Sequence, residues 1–85
     1  MITVRFFAVL KKLVGREVMQ VEAASGHMTL KDLLDRLDKE IPSFRSTLRE
    51  GRTLIAVNQE TAQEDTLIAD GDEVAFLPPF AGGQL

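Results

Sequence analysis

Apolar and polar positions alternate from the first residues of the chain. Ile2, Val4, Phe6 and Ala8 fall on one face of an extended segment, and Thr3, Arg5, Phe7 and Val9 fall on the other. The first face is wholly apolar and predicts a strand over Ile2 to Val9 packed on a core. Phe7 lies on the mixed face, where it reads equally as a sheet residue or as an anchor for a partner. Leu10 to Val14 can form one helical turn, with Gly15 placed to end it. Alternation resumes over Glu17 to Ala23, with Met19, Val21 and Ala23 on one side and Gln20 and Glu22 on the other. Two strands so close in sequence predict an antiparallel pair with a widened connection, followed by a loop over Ala24 to His27.

The period then changes. Leu30, Leu33, Leu34, Leu37 and Ile41 form one stripe at helical spacing. Thr29 is suited to cap this helix, with Asp32 close to the positive end of its dipole. Met28 and Leu33 are spaced as a hydrophobic staple. Pro42 stops the helix, because a residue before proline is driven out of the α region. Ser43 to Glu50 predicts a shorter helix docking Phe44 and Leu48 and ending at Gly51, and Thr53 to Val57 a strand that breaks at Asn58. Gln59 to Asp70 is polar and turn-like, with Thr66-Leu67-Ile68 as a short extended contact. Asp70-Gly71-Asp72 is a turn signal. The last strand, Glu73 to Leu77, is apolar on both faces, which predicts a central strand covered on both sides.

This order, β-β-α-short helix-β-turn-β, predicts an α+β fold of the β-grasp (ubiquitin-like) type. Such a fold has a mixed sheet of four to five strands, one main helix across it, and first and last strands paired in parallel. The domain is expected over residues 1–77. Residues 78–85, Pro78-Pro79-Phe80-Ala81-Gly82-Gly83-Gln84-Leu85, are expected to form a flexible, extended C-terminal tail.

Composition removes most kinds of chemistry. The 85 residues suit a single core. Ten basic against thirteen acidic residues argue against a nucleic-acid groove. No apolar run nears the roughly 20 residues of a membrane helix, and the first residues lack the pattern of a signal peptide, so a cytoplasmic location is expected. The chain has no cysteine, and its one histidine, His27, sits in an expected loop. Nucleophilic triads and cysteine-ligated metals therefore have nothing to work with. Asp70-Gly71-Asp72-Glu73 lacks the alternating oxygen ligands of a calcium loop and reads as turn chemistry; no metal site is expected. Asn58 reads as a local Asx turn without chemistry.

The tail remains. Its composition fits a frayed terminus or a tool. The two prolines stiffen the exit, and Gly82-Gly83 can enter a channel too narrow for any side chain. Extended, Pro78 to Gly83 would reach roughly 20 Å.

The chain resembles the MoaD/ThiS-type β-grasp sulfur carriers, and among them the small subunit of molybdopterin synthase. The resemblance runs the whole length, through Val4-Arg5-Phe6-Phe7-Ala8, the Thr29–Leu37 helix and Ala56-Val57-Asn58. It rests above all on the stretch from Asp70 to Gly83, DGDEVAFLPPFAGG. It implies that the carboxylate of Gly83 is adenylated by an ATP-using, E1-like (MoeB-like) adenylyltransferase and converted by a sulfur donor enzyme to a thiocarboxylate. The thiocarboxylate then gives its sulfur to cyclic pyranopterin monophosphate. The transfer is implied to occur in the active site of a MoaE-like large subunit, which Pro78, Pro79, Phe80, Ala81 and Gly82 enter. The carrier itself is implied to bind no permanent cofactor and to supply no acid or base. Phe7 and Phe80, near the exit, are the expected partner contacts.

Gln84 and Leu85 depart from this pattern, because such carriers end at the second glycine. Removal by a peptidase, toleration, and an addition foreign to the natural protein are the three accounts, and the first is preferred. The extra residues keep open a carrier for cysteine, thiazole or tRNA thiolation, or a ubiquitin-like modifier joined to lysines through Gly83. A plain interaction domain with a frayed tail is the remaining alternative.

Overall fold

A computed structural model describes residues 1–79. The described elements are β1 (Ile2–Phe6), α1 (Ala8–Val14), β2 (Val18–Val21), β3 (His27–Thr29), α2 (Leu30–Glu40) and α3 (Phe44–Glu50). They continue with β4 (Leu54–Val57), β5 (Glu60–Thr61), β6 (Leu67–Ala69) and β7 (Glu73–Leu77). Five strands form one sheet in the order β2-β1-β7-β4-β5. β1 and β7 run parallel at its centre, and each is flanked by an antiparallel neighbour. This is the β-grasp arrangement.

The alternating pattern sets which face is buried. Ile2, Val4, Phe6, Val74 and Phe76 point to one side of the sheet and are fully enclosed, as are Leu30, Leu33 and Leu37 of α2 and Phe44 of α3. Three phenylalanines hold the centre. Phe6 and Phe76 stack at 5.8 Å, and Phe44 meets both rings edge-on, at 6.1 and 5.4 Å. These are the offset and T-shaped geometries that the ring quadrupole favours. α2 starts in a capping box: the Thr29 hydroxyl accepts the Asp32 N–H, and the Asp32 carboxylate accepts the Thr29 N–H. Its C-cap, Ile41, is extended, as the following Pro42 requires.

Four sequence expectations change. First, β1 ends at Phe6 and α1 starts two residues earlier than expected, at Ala8, whose φ of 52° turns the chain sharply out of the sheet. Phe7 is thereby the N-cap of α1 and not a sheet residue. Second, His27 belongs to a strand: β3 pairs with β6 in a second, two-stranded sheet beside the start of α2. Three-residue strands offer too few alternations to be read as such. Third, Glu60–Thr61 folds back on Ala56–Val57 through Asn58 and Gln59, both at positive φ (51° and 71°). That is the backbone of a two-residue type I′ hairpin, but without the Gly that normally announces one. Fourth, β7 is central but covered on one side only. Ala75 and Leu77 stay half-exposed, because all three helices pack on the opposite face.

Candidate functional site: the exit of the central strand

β7 leaves the sheet through Leu77, Pro78 and Pro79, and this exit lies beside an apolar groove of about 300 Å³. One wall is Phe7, Val9 and Leu10 at the start of α1, and the other is Thr47, Gly51 and Thr53 around the end of α3. Gly51 fits closely there, because a Cβ at this position would lie 3.2 Å from the Thr47 carbonyl oxygen. Phe76 forms part of the lining, so the groove opens directly over the aromatic core.

The strand register sets the neighbouring surface. On the open sheet face, Val18, Arg5, Ala75, Ala56 and Thr61 form one row across the strands, and Leu77 pairs with Leu54 in the next. Leu54, Val18 and Phe7 are 38%, 37% and 41% exposed, so apolar side chains in contact with water continue from the groove onto the sheet. A surface of this kind, beside a chain exit, suits a protein partner.

The start of β7 is fixed by a polar clasp. Asn58 donates from Nδ2 to Asp72 Oδ1 at 3.0 Å, and its own Oδ1 accepts the Glu73 N–H at 3.0 Å. Asp72 Oδ2 accepts the Ala69 N–H at 2.8 Å. The Ala69 N–H and the Asn58 amide hold the Asp72 carboxyl below the usual carboxylate range. Asp70 receives the N-terminal amine at 3.1 Å, and Glu73 pairs with Arg5. The three carboxylates of the turn therefore face three different partners and do not converge. Asn58 is accordingly a bridge to the next turn and not the local Asx turn expected. Nothing in its own neighbourhood announced this, because the partner lies 14 residues away.

Of the expected site residues, Phe7, Pro78 and Pro79 come together at the groove. Phe80, Ala81, Gly82 and Gly83 lie outside the described residues, as do Gln84 and Leu85. Val9, Leu77 and Leu54 complete the surface. Leu77 and Val9 were legible only as strand positions, and Leu54 becomes relevant through its register with Leu77. Among the described residues, no group of three or more His, Asp or Glu side chains is placed to hold a metal ion, and no helix is long and apolar enough to cross a membrane. His27 is exposed on β3.

Fold and site together define a ubiquitin-like domain whose last strand delivers Pro78 and Pro79 to an apolar surface. The chain belongs to the ThiS family, which it matches over residues 4–83. It is 39% identical to the molybdopterin synthase sulfur carrier subunit of Escherichia coli (strain K12), over 98% of this chain and 100% of that protein. In structure it resembles the complex of subunits 1 and 2 of the molybdopterin-converting factor from Helicobacter pylori, with a TM-score of 0.66 and 30% identity, covering 96% of this chain and 97% of that one. It also resembles small archaeal modifier protein 1 of H. volcanii, with a TM-score of 0.78 and 28% identity, covering 93% and 97% of the two chains.

Proposed function

We propose that this protein is the sulfur carrier subunit of a molybdopterin synthase. The observation that carries the reading is the position of β7. The strand is clamped in the middle of the sheet and delivers Pro78-Pro79 to the edge of an apolar surface. The name and full-length match of the Escherichia coli relative support it. The Helicobacter pylori complex supports a large subunit as the partner.

In this reading Gly83 is the working residue, exposed as the terminus once Gln84-Leu85 is removed by a peptidase. Its carboxylate attacks the α-phosphorus of ATP on an adenylyltransferase, releasing pyrophosphate and leaving an acyl adenylate. A carboxylate needs this step because it is a poor electrophile with no good leaving group. A sulfur donor then displaces AMP to leave a thiocarboxylate, an anionic sulfur nucleophile that requires no cysteine in the carrier. Phe7 and the apolar surface dock on the large subunit, while Pro78, Pro79, Phe80, Ala81 and Gly82 reach into its active site. There the sulfur passes to cyclic pyranopterin monophosphate, and hydrolysis of the acyl–sulfur bond returns the Gly83 carboxylate. The carrier acts as a cosubstrate in the cytoplasm, and ATP is consumed by its activating enzyme.

The test is reconstitution. A chain ending at Gly83, converted to its thiocarboxylate, is mixed with its own large subunit and cyclic pyranopterin monophosphate. Formation of the pterin dithiolene is the expected result, and its absence sinks the proposal. The intact mass of the protein from its native host tests trimming, and a purely 85-residue population would count against it. The likeness to small archaeal modifier protein 1 supports a second reading, attachment of Gly83 to lysines. Isopeptide-linked remnants on other proteins would reveal it.

A further inference from the structure

The two edges of the main sheet differ. At one, β5 is two residues long, exposed and carries Glu60, which leaves little for another strand to pair with. At the other, β2 reads Val18-Met19-Gln20-Val21, with no charged residue and no proline, the devices that usually protect a free edge. The register fixes which of its backbone groups are free. The Phe6 N–H donates to the Glu17 carbonyl at 2.8 Å, so residues 17, 19 and 21 turn their backbone groups to β1. The N–H and C=O of Val18 and Gln20 therefore point away from the sheet. The free run ends at Glu22, whose carbonyl accepts an Arg36 N–H. A depression of about 370 Å³ lies along this edge, bordered by Arg16, Met19, Gln20 and Arg36. Arg36 is already paired with Glu40, and Glu17 with Lys11. Arg16 before the strand and Glu22 after it are exposed and form no ion pair among the described residues.

We propose that this edge docks a second copy of the chain, β2 against β2 and antiparallel, about a twofold axis at Met19. The free backbone groups and the two unpaired charges select the register together. With Met19 opposite Met19, Val18 of each copy exchanges both backbone hydrogen bonds with Gln20 of the other. Arg16 of each copy then comes opposite Glu22 of the other, and opposite charges directly across a strand pair are favourable. Moving the axis to residue 18 or 20 sets Arg16 against Gln20 or Ala24 and loses both charge pairs. The strand is thus complementary to itself in one register, as an isologous interface requires. That self-complementarity is the reason the occupant is a second copy: both halves of the recognition lie on one strand. Two five-stranded sheets become one continuous sheet. The half-buried Met19 side chains meet at the axis, where cross-strand neighbours come closest. The inference goes beyond the carrier reading and does not depend on it, since β7 and Pro78-Pro79 take no part.

The experiment is sedimentation equilibrium of the full chain at low ionic strength, up to about 1 mM protein. One strand pair buries less than the about 1,200 Å² of a standard interface, so a monomer–dimer equilibrium is expected in the upper part of that range. Arg16→Glu and Glu22→Arg each place like charges opposite one another twice per dimer, and each alone should weaken pairing roughly tenfold or more. Mixed in equal amounts, the two variants are complementary at both positions and should recover pairing to within about threefold of the unsubstituted chain. Val18→Pro removes an outward N–H while leaving the β1 ladder its bonds, and should abolish the dimer. Thermal unfolding verifies that each variant remains folded, and the charge variants, which leave the backbone untouched, keep the test if the proline does not. An unsubstituted chain that stays monomeric to about 1 mM overturns the proposal, as would an edge that accepts a strand from another protein and never its own. A dimer that survives Val18→Pro in a folded chain overturns it too. So does a mixture that pairs no better than either charge variant alone.

Discussion

The side-chain amide of Asn58 joins Asp72 across 14 residues of sequence, donating to its carboxylate at 3.0 Å while accepting the N–H of Glu73. The β4–β5 hairpin is thereby locked to the turn that starts β7. Asn58 also holds a left-handed backbone, with φ 51°, which Asn tolerates better than most residues. Asn58→Ala should cost about 1–3 kcal/mol, from lost hydrogen bonds plus the left-handed penalty. Asn58→Gly should cost less, since it loses the bonds but keeps the backbone comfortable. Urea unfolding of the two variants separates the contributions, and equal losses would show that the backbone term is negligible.

Asp72 gives the clasp a pH dependence. The Ala69 N–H and then the Asn58 amide favour its charged form, so its folded pKa lies below its unfolded one. Glu17 and Asp35 are lowered in the same sense by Lys11 and by Lys31 with Arg45. The stability these groups supply is complete above their unfolded pKa values, near 4, and is lost as pH falls through the lowered folded values. Unfolding free energy should therefore be flat near neutrality and decline with acidification below about pH 4. Asp72→Asn should be less stable at neutral pH and show a shallower decline. An unchanged slope would remove Asp72 from the account.

Phe7 caps α1 and stands 41% exposed at the groove. Phe7→Ala should weaken binding to the large subunit by about tenfold or more, near 1.4 kcal/mol, as truncation of an aromatic anchor does. The unfolding midpoint in urea should move little, since the residue lies outside the buried core. Parallel titration and unfolding measurements test this, and equal losses in both would make Phe7 a packing residue.

Phe44 is the opposite case. It is fully buried and edge-on to both Phe6 and Phe76. Phe44→Ala should cost about 3–5 kcal/mol, a large part of the 5–15 kcal/mol available to a typical domain. Since Phe44 opens α3, whose end forms one groove wall, binding should be lost together with the fold. Chemical denaturation followed by circular dichroism gives the stability directly.

These contrasts show what could be read from the chain. Helix α2 was legible because three local signals agree: the leucine stripe, the Thr29 cap and Pro42. The parallel pairing of β1 with β7 followed from element order. The role proposed for Gly83 rests on resemblance and on the lack of other reactive groups, and Gly83 lies outside the described residues. The features without a local signature are non-local or short. β3 and β6 are three residues each, β5 is two, and the Asn58 clasp depends on a partner far along the chain. The half-exposure of Ala75 and Leu77 escaped for a related reason. An apolar strand looks the same in sequence whether its second face meets a helix of its own domain or waits for another protein.

The central place of β7 also has a consequence for synthesis. Both of its neighbours, β1 and β4, need it to complete their hydrogen bonding, and Val74 and Phe76 are needed to close the core. The domain therefore cannot finish folding until residues 73–77 have left the ribosome. A product that stops before Glu73 lacks this strand and should remain unfolded and open to proteolysis, unable to compete for the partner. The fold itself thus screens out copies that end short of the central strand.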